Sequence, residues 1–211
     1  MKKLFLIAIL LPAVFSSVFS QAMQNPAETD IKVFEQKLIA HSENIKTLQC
    51  SFLQEKTSTL FSEKAVSTGK LFYISPGTLR WEYTEPGVST FIINGNDAVL
   101  LGSNNEKLGN ERMFKDLAAT IISLINGNGI AKGKLFKTVF NDTGKDQIHV
   151  VLTPVQKRLK DYFLTIEMMM DTKTMLANEI VLNEKSGDKT VLYLTNRVLN
   201  EEISSSMFTI K

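Results

Sequence analysis

From Gln49 onward the chain is cut into short runs of strand period by Gly, Pro, Asn and Asp, and this punctuation constrains the fold more than any other feature. QCSFLQEKTS, AVSTGKLFYI, TLRWEYT, VSTFII and DAVLLG lie before residue 103. KLFKTVF, QIHVVLTP, DYFLTIEMMM, MLANEIVLNE, KTVLYLTN and SMFTIK lie after residue 133. Turns are marked at Ser75-Pro76-Gly77, Pro86-Gly87, Asn94-Gly95, Asp142-Thr143-Gly144 and Ser186-Gly187-Asp188. About eleven strands so spaced predict one large antiparallel sheet, strongly curved or barrel-like.

Helical spacing occurs twice. Ile31, Phe34, Leu38, Ile45 and Leu48 recur at intervals that predict a helix over 30–48, with Thr29 and Asp30 as N-caps. Met113, Phe114, Leu117, Ala118, Ile121, Ile122 and Ile125 predict a second helix over 113–125, which Gly127 stops. Its apolar face is too wide for a helix resting on a polar surface, so it must cover something apolar. The expected class is α+β, mainly β, with two helices over the sheet.

Within TLRWEYT, Leu79, Trp81 and Tyr83 share one strand face while Arg80, Glu82 and Thr84 share the other. Met168, Met169 and Met170 are consecutive, so both faces of their strand carry a thioether. Met suits a site whose occupant varies in shape, although core filling is the default for any one Met. The side chains on the concave face either fill the interior or leave a cavity for an apolar ligand, and periodicity does not choose between them.

The first 22 residues, MKKLFLIAILLPAVFSSVFSQA, have the form of a secretory signal peptide: basic Lys2 and Lys3, an apolar stretch, then small residues. Cleavage is expected after residue 20 or 22, leaving one soluble domain over 23–211. No Cys lies near the cleavage region, so no lipid anchor is expected. Losing residues 1–20 removes two Lys from 24 basic residues, leaving 22 against 22 acidic. That balance, without a basic tract, argues against nucleic acid and against electrostatic membrane binding. Cys50 alone makes no internal disulfide.

Catalytic signals are poor. His41 and His149 are far apart in sequence and lack metal-ligand spacing. Ser67 to Lys70 and Ser186 to Lys189 match S-x-x-K without its partner motifs. In NGNGIAKGK, residues 126–134, the glycines miss the spacing of a phosphate loop. A binding protein with no metal and no cofactor is expected, not an enzyme.

SFLQEK (51–56), GKLFYISPGTLRWEY (69–83), IINGNDAVLL (92–101) and the long run 150–196 carry a resemblance, in order, to the LolA family of periplasmic lipoprotein carriers. LolB-like and RseB-like proteins share that family's fold. The resemblance implies an unclosed half-barrel of about eleven strands with helices as a lid over a hydrophobic cavity for acyl chains. It implies a soluble periplasmic monomer, an inner-membrane ABC transporter as donor and an outer-membrane acceptor. The expected lining is Phe52, Leu71, Tyr73, Leu79, Trp81 and Tyr83 from the sheet's first half. Met113, Leu117 and Ile121 would add the lid, and Met168 and Met170 the far strands. Many relatives carry a lid-locking Arg where this chain has Ser75; Arg80 points to the opposite face and is a poor substitute. Two other readings stay open: a carrier of another amphiphile, such as a glycolipid or polyene lipid, and a lipoprotein-sensing module.

Overall fold

The computed structural model describes residues 28–210 apart from 61–62, 96, 109–119, 123, 126–129, 131–134 and 144–145. Helix α1 (Glu28–Glu43) leads into β1 (Thr47–Thr57), β2 (Ala65–Ile74), β3 (Thr78–Glu85), β4 (Ser89–Asn94), β5 (Asp97–Leu101) and β6 (Lys107–Leu108). After the segment that includes helical residues 120–122 and 124–125 come β7 (Phe136–Asp142), β8 (Gln147–Pro154), β9 (Phe163–Asp171), β10 (Ala177–Glu184) and β11 (Lys189–Leu199). All pairings are antiparallel, in the order β6-β5-β4-β3-β2-β1-β11-β10-β9-β8-β7. The sheet does not close. Its two halves are meanders joined where β11 returns beside β1, which makes the chain's most sequence-distant pairing its central one.

Alternation assigns the faces. On the inner face Leu71 stands opposite Trp81, Trp81 opposite Phe91, and Tyr73 opposite Leu79. In the other half Ile180 stands opposite Met168, and Met168 opposite Val150. These residues form one continuous buried cluster, and α1 lies over it through Phe34 and Leu38. The Phe34 ring meets Phe140 of the edge strand β7 edge-on at 5.6 Å, whereas the end of α1 runs into central β1. A helix touching both edge and centre requires a sheet curved around it.

Three expectations need adjusting. The first helix ends at Glu43 rather than continuing to 48. Asn200, just after β11, accepts the Lys46 N–H at 2.7 Å and donates to the Asn44 carbonyl at 3.1 Å, pinning the turn that takes the chain from α1 into β1. Leu48 fits a helical and a strand period alike, so spacing could not mark the boundary. SMFTIK forms no strand: Ser205–Phe208 is a 3₁₀ turn on the outer face, where Phe208 packs with Ile92 and Val99. Arg80 donates to the Met207 carbonyl at 2.8 Å and Asn94 to the Phe208 carbonyl at 3.3 Å, satisfying backbone that a ladder would otherwise pair. The eleventh strand is instead β6, two residues long and too short to show a period.

Candidate functional site

A cavity of about 60 Å³ lies between the inner face of the sheet and the helical elements. Leu38, His41 and Ser42 of α1, with Ile45 just beyond it, form part of the roof, and Ile121, Leu124 and Ile125 form another part. The floor is central: Leu48 and Cys50 on β1, Leu71 on β2, Trp81 on β3, and Leu192, Leu194 and Arg197 on β11. Met168 and Met170 of β9 and Ile180 of β10 form the far wall. Met175 and Leu176 join them there because a turn folds inward, held by the Asp171 carboxylate accepting the Lys173 and Thr174 N–H groups. Those two bonds, that from Thr174 foremost, hold the Asp171 carboxyl below its usual range. Ligand pockets usually measure roughly 300–1,000 Å³, so the cavity is small and must widen to take an alkyl chain.

The structure separates the expected lining residues into three groups. Leu71, Trp81, Ile121, Met168 and Met170 line the cavity. Phe52, Tyr73, Leu79 and Tyr83 share the inner face but pack beside the cavity, Tyr73 and Leu79 with no exposure at all. Met113 and Leu117 lie outside the described residues. Met169 is half-buried on the outer face, opposite His149, so only its two neighbours point inward. Ser75 is exposed in the β2–β3 turn, where its N–H donates to the Lys46 carbonyl at 2.8 Å. The sequence reading did not single out Leu38, Ile45, Leu176, Ala177 or Arg197 as lining. The first two were legible as part of the apolar stripe that predicts the first helix; the others depend on turns and irregular pairing.

Aromatic packing fixes the cavity's β3 side. The Phe52 ring lies 5.1 Å from Trp81 and 5.4 Å from Tyr83, and Trp81 stacks near Tyr83 at 6.3 Å. Burial pushes the Tyr83 hydroxyl up to about 12, and the hydroxyl donates to Gln54 Oε1 at 2.9 Å. Burial likewise pushes the Cys50 thiol up to about 12, with Arg197 opposing only in part. Thiolate is the reactive form, so iodoacetamide at pH 8 is expected to alkylate Cys50 about a thousand-fold more slowly in the native protein than after unfolding. Comparable rates in the two states would place the thiol in contact with solvent.

Among the described residues no group of three or more His, Cys, Asp or Glu side chains is placed to hold a metal, and no helix is long and apolar enough to cross a membrane. His149 Nε2 sits 2.8 Å from Glu167 Oε2 on the outer face, away from the cavity. What the site offers is a mouldable apolar surface, suited to binding.

In three dimensions the chain is similar to MucB, with a TM-score of 0.51 and 13% identity, covering 88% of this chain and 64% of that one. It is similar to a DUF1329 family protein from Desulfovibrio piger (TM-score 0.50, 11% identity, 85% and 97% covered). A LolA superfamily protein from Nitrosomonas europaea gives a TM-score of 0.47 at 12% identity, with 83% and 97% covered. At such identities the likeness concerns the fold. No curated protein matches the chain in sequence. The family model described as outer membrane lipoprotein carrier protein LolA matches residues 43–211, and the chain belongs to that family.

Proposed function

We propose that the protein is a soluble periplasmic carrier that shields lipoprotein acyl chains in its cavity and moves them from the inner to the outer membrane. The observation that carries this reading is the small apolar cavity between the curved sheet and its helical cover, in a member of the LolA family. Residues 1–22 act as the export signal and residues 23–211 as the carrier domain. An inner-membrane ABC transporter loads it and an outer-membrane acceptor unloads it.

Physical chemistry demands such a shield. Each buried CH₂ is worth ~0.8 kcal/mol, so three acyl chains of roughly 16 carbons cost tens of kcal/mol in water. Free diffusion of a lipoprotein between membranes is therefore excluded. The carrier must also release what it binds, and widening a cavity of about 60 Å³ to take a chain costs part of the packing of its walls. Binding is thereby weakened to what transfer tolerates.

The test is to incubate purified protein with spheroplasts retaining a newly made outer-membrane lipoprotein. A soluble one-to-one complex with that lipoprotein is expected. Release of lipid alone would favour a carrier of another amphiphile, a second reading supported by the polar groups in the cavity wall. Absence of any release would sink the transport role.

A further inference from the structure

The cavity wall is mostly Leu, Ile and Met; among its polar exceptions the Ser42 hydroxyl donates to the Ile39 carbonyl at 2.8 Å, and three others stand apart. Trp81 is 7% exposed, and its Nε1–H is buried with no acceptor in hydrogen-bonding geometry. The Tyr83 hydroxyl senses this N–H without reaching that geometry. His41 Nε2 is also buried and unpartnered. Arg197 donates from Nη1 to the Ala177 carbonyl at 2.8 Å and makes no salt bridge among the described residues. The side chains of Trp81, His41 and Arg197 thus line one small space. An indole N–H and a guanidinium can only donate, and an imidazole can.

Arg197 reaches the wall through a backbone irregularity. The β1–β11 register steps from Gln49↔Val198 to Ser51↔Thr195, so Asn196 and Arg197 together oppose Cys50. Asn196 takes φ +51°, a left-handed conformation that Asn tolerates. With Leu192 and Leu194 facing inward, strict alternation would turn Arg197 outward. The extra residue inverts the phase and brings Arg197 to the inner face. Cys50 in turn stands opposite Leu71, and Leu71 opposite Trp81, so Arg197 and Trp81 end one row across four strands. Half-burying a cation is costly, and the Asp171 carboxylate attracts Arg197 without forming a salt bridge to it. A strand that breaks its own alternation to place one marks a binding position.

We propose that the cavity selects amphiphiles whose alkyl chain ends in an anionic, oxygen-rich group, held by Arg197 with Trp81 Nε1–H and His41 Nε2 as further polar contacts. The proposal rests on the carrier reading above in its second form, a carrier of another amphiphile, since a lipoprotein's acyl chains end in neutral esters and an amide: the chain occupies the apolar space and the anion occupies the row. A fatty carboxylate and an alkyl phosphate share this chemistry.

The experiment measures binding of palmitate, hexadecyl phosphate and hexadecanol to the purified protein by calorimetry. Hydrogen bonds to a charged group predict that the better anion binds roughly ten- to a hundred-fold more tightly than the alcohol. The ranking of the two anions tells carboxylate from phosphate. Arg197→Gln keeps a donor for the Ala177 carbonyl but removes the charge, and should equalise anion and alcohol without weakening the alcohol; Arg197→Lys should retain the preference. If Arg197→Gln does not fold, the wild-type ratio and its reduction in Trp81→Phe decide. Equal affinity for all three ligands in the wild type overturns the selectivity and leaves the carrier reading standing. Binding of none overturns both.

Discussion

Gly69→Ala is expected to lower the urea midpoint of unfolding by about 1–2 M, corresponding to roughly 3 kcal/mol at ordinary sensitivity to urea. Gly69 stands between Phe52 on β1 and Tyr83 on β3, directly opposite both. Those strands are two apart, about 9–10 Å in the sheet, yet the two rings meet at 5.4 Å. They meet because β2 has no side chain between them. A Cβ at Gly69 would collide with the Glu82 carbonyl oxygen and with the Phe52 ring, and neither can yield cheaply. Moving the carbonyl disturbs the β2–β3 ladder, already shifted between Thr68 and Gly69, and moving the ring opens the cluster beside Trp81. Gly77→Ala is the control, since a Cβ there has nothing within 4 Å. Equal midpoints for the two variants would show that the rings do not depend on the gap.

The same gap shows what the sequence could reveal. Alternation in TLRWEYT assigned Leu79, Trp81 and Tyr83 to one face, and they share it. Alternation does not say where along a row each residue falls, so fully packed Leu79 and cavity-lining Trp81 look alike in one dimension. Depth within the core is set by curvature, which arises from the twist of all eleven strands together. The pairing of β11 with β1 was equally hidden, because strand pairs distant in sequence leave no local mark. Arg197 illustrates the limit most sharply: LTNRVL interrupts the alternation with three polar residues in a row, but only the ladder shows that two residues there oppose one. Besides that run, the local hint was Asn196, a residue type that tolerates positive φ. At the chain's end SMFTIK reads as a strand because Met207 and Phe208 must reach a core, and period alone does not say that the core lies on the outer face.

Ala177→Leu is expected to reduce binding of a fluorescent acyl probe by a factor of ten or more while thermal stability stays level or rises. Ala177 lines the cavity at the start of β10, where the ladder to β9 is irregular, and only its Cβ stands at the wall. The carbonyl that accepts from Arg197 belongs to the backbone, so the substitution leaves that bond in place. Leucine adds three carbons to a cavity of about 60 Å³. Burying them is worth up to about 2 kcal/mol, offset in part by crowding. Met168→Ala is the converse change: it enlarges the space, should cost about 2–5 kcal/mol of stability, and should preserve or strengthen probe binding. Stability and binding thus move in opposite directions in the two variants, a pattern that general destabilisation cannot produce. A carboxylate at Leu79 would lack this discrimination, because that side chain is wholly buried beside the cavity and a charge there would unfold the sheet itself. Full probe affinity in a folded Ala177→Leu protein would place the acyl site elsewhere on the molecule.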